Sequence, residues 1–120
     1  MYRVLKRDGK IVDLDLTKIS TAITQAFEAC EKQFHKDIID FLVLKVTSEF
    51  EPKIENGNIS VENIQDSVES VLIKAGYDDV AKAYILYRRQ REKLRNLSST
   101  VLDYKEIVDF KIIVNDFLIV

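Results

Sequence analysis

The 120-residue chain has few of the residues that mark several common kinds of protein: one cysteine, one histidine, one proline, three glycines and no tryptophan. A single cysteine cannot form an intramolecular disulfide, and Cys30 with His35 cannot supply the four protein ligands of a structural zinc site. The glycines at positions 9, 57 and 76 fit neither GxxxxGK[ST] nor GxGxxG, so both glycine-rich phosphate loops are excluded. Any phosphate-bearing ligand must therefore be held by side chains and helix ends.

The overall composition is that of one globular domain. Apolar residues make up 47% of the chain, charged residues 32%, and the net charge is −2. These values are typical of a soluble protein and give no general attraction to nucleic acid or to an anionic membrane. No apolar run approaches the roughly 18 residues of a spanning helix. With a lone cysteine and a charged N-terminus in place of a signal peptide, we expect a cytoplasmic location and no membrane partner.

Residues 3–12 predict a short basic hairpin. Asp8-Gly9 is a strong turn signal, because glycine adopts the positive φ that tight hairpins need, and the flanking residues alternate between apolar and charged. Asp15 then caps a helix. Cations on a hairpin often only protect a solvated edge, but here they surround a helix start, where a polyphosphate can bind. The four cations are Lys6, Arg7, Lys10 and Lys18.

Apolar spacing and cap residues predict about four helices after the hairpin. They run from Asp15 to about residue 30, from Ile38 to Phe50, from Ser60 to Gly76, and from about Asp78 into a basic stretch at Arg88–Arg91. Pro52 ends the second helix, and residues 55–58 are predicted as a turn. The predicted fold class is α+β: a small N-terminal hairpin or sheet forms a lid over a bundle of about four helices, with a C-terminal extension.

Several stretches together resemble the ATP-cone, the nucleotide-sensing domain of ribonucleotide reductases. They are VLKRDG at residues 4–9, DLTKI at 15–19, IQDSVE at 64–69 and AKAYILYR at 81–88, and the resemblance spans roughly residues 2–92. STVLDY at 99–104 is similar to the connection into the catalytic body of anaerobic, class III reductases. The resemblance thus implies an ATP-cone in residues 1–95, then a linker and the start of a truncated catalytic domain in residues 96–120.

What the resemblance implies about function is allosteric control of deoxyribonucleotide synthesis. ATP or dATP, with Mg²⁺, is the expected effector. The expected partners are the catalytic body of an anaerobic ribonucleoside-triphosphate reductase and further copies in a homo-oligomer. No catalytic residue is assigned within this chain, because the parent's radical chemistry needs cysteines and a glycyl-radical segment outside it. No metal ligand is assigned either, because no pair of acids in the sequence identifies itself as a ligand of Mg²⁺.

The resemblance also assigns a nucleotide site. Val4, with aliphatic side-chain stems, would cover the adenine ring, and the hairpin cations with Lys18 would neutralise the triphosphate. Gln65 would approach the nucleotide from the third helix. Tyrosines in a helix are more often core than ligand, so the fourth-helix candidates have a competing interpretation. The nine residues assigned are Val4, Lys6, Arg7, Lys18, Ile19, Gln65, Tyr84, Tyr87 and Arg88.

Two other functional classes remain open at this stage. The apolar tail, residues 101–120, is consistent with a ligand-independent helical dimerisation module, although that function leaves the cation cluster without a role. The basic stretch from Arg88 to Arg95 is consistent with a nucleotide-responsive DNA-binding regulator, which predicts strongly salt-dependent binding to duplex DNA. The net charge argues against nucleic acid, and we expect this stretch to be a solvated helix C-terminus favoured by the macrodipole.

Overall fold

A computed structural model of the protein describes residues 2–98. Three short strands form one sheet, in the order β2-β1-β3: β1 is Arg3–Leu5, β2 is Ile11–Asp13 and β3 is Asn58–Ser60. β1 pairs antiparallel with β2 and parallel with β3, so that Val4 lies opposite both Val12 and Ile59. The sheet was predicted, but residue 58 was assigned to a turn and β3 was not recognised.

The predicted turn joins β1 to β2. The Lys6 amide donates to the Lys10 carbonyl at 2.8 Å, and the Gly9 amide donates to the Lys6 carbonyl at 3.0 Å. Gly9 has φ +88°, a conformation that L side chains rarely adopt. An Asp8 carboxylate oxygen accepts from the Lys10 amide at 2.9 Å, which fixes the turn that carries the basic side chains.

Four α-helices lie within the described residues: α1 (Leu16–Ala29), α2 (Lys36–Phe50), α3 (Val61–Lys74) and α4 (Asp78–Ser98). The predicted caps Asp15 and Ser60 are confirmed, since each side chain accepts a backbone N–H of its helix. α2 begins two residues earlier than predicted, because the His35 side chain, assigned to a loop, caps it. Pro52 lies in a 3₁₀ turn, Glu51–Lys53, directly after α2.

The last helix is longer than predicted. α4 continues through Ser98, so residues 96–98, expected to be a linker, are helical. The remainder of that expected linker and the apolar tail lie outside the described residues. No helix within residues 2–98 has the length and apolarity needed to cross a membrane.

The core lies where the four helices meet beneath the sheet. α2 packs against α3 and α1, and α4 packs against α1 and α3. Phe27 of α1, 1% exposed, makes edge contacts with Tyr77 and Phe34 at centroid distances of 5.1 and 5.6 Å. Burying a side chain of this size stabilises the fold by about 1.5–3 kcal/mol. Val4 and Ile59 join this core, which fastens the sheet to the bundle.

A cationic cleft between the hairpin and the helices

A cleft of about 270 Å³ opens between the hairpin, the start of α1, the start of α3 and the outer part of α4. Its base is apolar: Val4, Ile19, Val61 and Ile64 line it and are at most 7% exposed. These side chains are held by the core, so the base is rigid and presents a dry surface against which a flat, apolar group can pack.

Four cations surround this base, namely Lys6 and Arg7 from the hairpin turn, Lys18 from α1 and Arg91 from α4. Among the described residues, Lys6, Lys18 and Arg91 make no ion pair. Three aspartates also line the cleft, at positions 8, 13 and 15. The cleft thus combines an apolar base with three cationic donors that make no ion pair within the described part of the chain, the two requirements for binding a group that is apolar at one end and anionic at the other.

Arg7 is the cation of the cleft that is bonded to side chains of α3. Its Nε lies 2.7 Å from Glu62 Oε1, and its Nη2 donates to Gln65 Oε1 at 2.7 Å. Both partners belong to the first two turns of α3, so the guanidinium ties the hairpin turn to that helix. Gln65, predicted to approach the ligand, is 3% exposed and does not line the cleft; what it does in the structure is hold Arg7.

The start of α1 places Lys18. The Asp15 side chain accepts hydrogen bonds from both the hydroxyl and the backbone N–H of Thr17, and these bonds lower the pKa of the Asp15 carboxyl. Because this carboxylate is engaged by the cap, α1 begins at a fixed point. In the first turn of the helix, Lys18 and Ile19 therefore both line the cleft, and their contact with a nucleotide stays a prediction.

The predicted tyrosines lie behind the cleft. Tyr84 is 0% and Tyr87 1% exposed, their ring centroids are 5.9 Å apart, and neither lines the cleft. Burial raises the pKa of the Tyr84 hydroxyl, which has no hydrogen-bond partner among the described residues. Their direct contact with a ligand stays a prediction; in the structure they form the core wall that supports α4.

Arg88, the last predicted site residue, is bound by acids of α3. Its Nη1 lies 2.7 Å from Glu69 Oε1 and 3.0 Å from Asp66 Oδ1. Burial opposes the charge of Arg88, but these two bonds outweigh it and raise the pKa of the guanidinium. Arg88 lines a second, smaller cavity of about 200 Å³, to which Arg7 also contributes. Arg7 is therefore shared by the two cavities.

Sequence reasoning missed Arg91. It was assigned to a solvated basic stretch, whereas α4 brings it across to the cationic cleft. The available signal was its place one turn after Tyr87 on the same helix face. Among residues 2–98 no group of three or more His, Cys, Asp or Glu side chains could hold a metal ion.

Comparison with known proteins gives one family. The model of the ATP cone domain matches residues 2–93. The chain is 39% identical over 93 residues to a vitamin B12-dependent ribonucleoside-diphosphate reductase of Mycobacterium tuberculosis, covering 78% of this chain and 13% of that protein.

Two further relatives are reductases of other types. A ribonucleoside-diphosphate reductase subunit alpha of Chlamydia pneumoniae is 36% identical over 110 residues, covering 84% of the chain and 10% of that subunit. An anaerobic ribonucleoside-triphosphate reductase of Haemophilus influenzae is 32% identical over 102 residues, covering 82% and 14%. The chain thus spans only about one-eighth of the length of these relatives.

Proposed function

Because the chain belongs to the ATP-cone family, we propose that it binds ATP and dATP in the cationic cleft and serves as the allosteric effector domain of a ribonucleotide reductase. The observation that carries the proposal is the cleft itself, in which an apolar base of buried side chains is surrounded by three cations without ion pairs. The base suits a purine ring, and the cations suit a triphosphate.

The proposed site uses five of the nine predicted residues directly. Val4 and Ile19 pack against the adenine ring, while Lys6, Arg7 and Lys18 contact the phosphates. The other four act from behind: Gln65 orients Arg7, Arg88 holds the neighbouring acids of α3, and Tyr84 with Tyr87 supports α4. To these we add Arg91 as a fourth cation.

Mg²⁺ accompanies the triphosphate in this proposal. This ion keeps several waters and is usually bound through phosphates and one or two carboxylates. Asp13, at the edge of the cleft, fits that limited role, whereas Asp8 is engaged by the hairpin turn and Asp15 by its helix cap.

Allosteric control requires that ATP and dATP interact differently with two states of the domain or of its interfaces. Arg7 is the residue best placed to report occupancy. A phosphate that attracts its guanidinium competes with Glu62 and Gln65, and so acts on the contact between the hairpin turn and α3. The same guanidinium borders the second cavity, next to Glu69 and Arg88.

The finer proposal is that the parent enzyme is an anaerobic ribonucleoside-triphosphate reductase. Its support is STVLDY at residues 99–104, which is similar to the connection found in that class. The relatives include three reductase types and do not decide between them. Reduction of ribonucleoside triphosphates by the parent polypeptide without oxygen supports the anaerobic type; reduction of diphosphates overturns it while leaving the effector domain intact.

Calorimetric titration of ATP, dATP and GTP, with Mg²⁺, tests the nucleotide site. We expect adenine nucleotides to bind and GTP not to bind. Removing one charged contact costs about 1.5–3 kcal/mol, so Lys18→Ala or Arg91→Ala should weaken ATP binding roughly 10- to 150-fold. Lys82→Ala is the matched control, because this exposed lysine of α4 does not line the cleft.

Two outcomes contradict the proposal. If both cleft variants bind ATP as tightly as the wild type, the nucleotide binds elsewhere on the domain. If the folded wild-type chain binds no nucleotide at all, this domain is not an effector-binding domain on its own. That result favours the ligand-independent dimerisation module.

A further inference from the structure

The outer face of α2 is an apolar surface, within the described residues, that the nucleotide site leaves unexplained. We use this name for Asp37, Ile38, Phe41, Leu44, Lys45 and Ser48, all exposed and opposite the buried stripe of the same helix. Ile38 is 37%, Phe41 52% and Leu44 68% exposed. One side of this face, at Phe41, Lys45 and Ser48, borders a cavity of about 370 Å³ that α3 lines with Val71 and Lys74. Adjacent apolar side chains of this size on one helix are typical of a contact surface.

The order of residues on this face is self-complementary about Phe41. In two antiparallel copies of α2 that cross at Phe41, residues equidistant from it lie at the same height. Ile38, three residues before Phe41, then lies level with Leu44 of the second copy, three residues after it. Asp37, four residues before, lies level with Lys45, four residues after.

The charges on this face lack strong partners within one copy. Lys45 makes no ion pair among the described residues; its Nζ lies 5.4 Å from the centroid of the Phe41 ring. Asp37 lies 3.5 Å from His35 Nδ1, but its side chain is 87% exposed, so this contact leaves the carboxylate open to a second partner. An acid before the centre and a lysine after it are therefore both available to a second copy.

We propose that the outer face of α2 is a homodimerisation surface, in which two copies of this chain pair through antiparallel α2 helices centred on Phe41. The two Phe41 rings meet at the two-fold axis, Ile38 packs beside Leu44 of the other copy, and Asp37 pairs with Lys45 of the other copy at both ends. A contact through one helix is small compared with a stable interface, so the dimer is weak and depends on concentration. Nucleotide is not needed for it.

Analytical ultracentrifugation of the full 120-residue chain over a concentration series, without nucleotide, tests the proposal. We expect a reversible monomer–dimer equilibrium for the wild type. Phe41→Glu places two carboxylates at the two-fold axis and should abolish the dimer. Leu86→Glu is the matched control, because Leu86 of α4 is 54% exposed and lies outside this face, and it should dimerise like the wild type. Circular dichroism confirms that each variant remains folded.

Charge reversal gives a second, independent test. Asp37→Lys alone or Lys45→Asp alone juxtaposes like charges, and each should weaken dimerisation about tenfold, whereas the double reversal should restore it. A monomer at all concentrations up to about 1 mM overturns the proposal. So does a dimer that survives Phe41→Glu, which moves the contact elsewhere, for instance to the apolar residues 101–120. Failure of the double reversal to rescue the single ones overturns the antiparallel pairing.

Discussion

A substitution at Tyr84 tests whether this residue belongs to the core or contacts the nucleotide. Its ring is fully buried and its hydroxyl has no hydrogen-bond partner among the described residues, although the charges of Arg88, Glu69 and Arg7 influence it. Tyr84→Phe removes only this hydroxyl and leaves the ring and its contact with Tyr87 in place. The variant therefore isolates one buried polar atom.

The expected change in stability follows from the burial of the Tyr84 hydroxyl without a hydrogen-bond partner among the described residues. A buried polar group without a partner costs about 1–3 kcal/mol, and removing it recovers part of that cost. We expect Tyr84→Phe to raise the free energy of unfolding by about 1 kcal/mol, or the melting temperature by about 4–8 °C for a domain of this size. A tyrosine whose hydroxyl is bonded in the fold gives the opposite sign. Since Tyr84 does not line the cleft, the affinity for ATP should stay unchanged.

Thermal and urea unfolding, followed by circular dichroism, measure the first quantity, and calorimetry with ATP measures the second. Tyr77→Phe is the control: Tyr77 is only half buried, so loss of its hydroxyl should change stability little. Destabilisation by Tyr84→Phe refutes the reasoning about the unpartnered hydroxyl. Weaker ATP binding without destabilisation assigns Tyr84 to the ligand site, as the resemblance implied.

Two further predictions concern the turn and the acidic groups. Gly9→Ala should lower the free energy of unfolding by about 1 kcal/mol, because Gly9 has φ +88°, while the space around it is open. Gly9→Asn should lower it less, because asparagine adopts positive φ more readily than alanine. Equal losses of stability for the two variants in urea unfolding contradict a conformational origin. The fold lowers the pKa of Asp15 through Thr17 and that of Glu49 through Lys74 and Ser70, so the unfolded chain takes up these protons first. Stability should therefore be constant above about pH 5 and fall as the pH drops below the ordinary values of 4.5 and 3.8; a stability that rises there contradicts the sign.

Local signals account for what the sequence predicts well. Asp8-Gly9 determines a turn, and Asp15 and Ser60 mark helix starts, because each acts on backbone groups within three residues of itself. For the same reason the sequence places Lys6 and Lys18 near each other, and both line the cleft, because the hairpin and the cap follow each other directly in the chain.

The features that were missed depend on distant partners. β3 has only three residues, too few for an alternating pattern, and it exists because Ile59 pairs with Val4, 55 residues earlier. Arg91 carries no local mark of its position; it reaches the cleft because α4 packs across α1 and α3. The burial of Gln65 likewise depends on Arg7, 58 residues away, which holds its side-chain oxygen.

The parallel pairing of β1 with β3 has a consequence for how the chain is synthesised. β1 emerges from the ribosome 55 residues before its partner strand, a delay of about 3–11 s at ordinary elongation rates. Until then the N-terminal hairpin is an isolated two-stranded ribbon, which is marginally stable in water. Since Arg91 comes later still, a nascent chain cannot assemble the complete cleft until almost the whole domain has been translated.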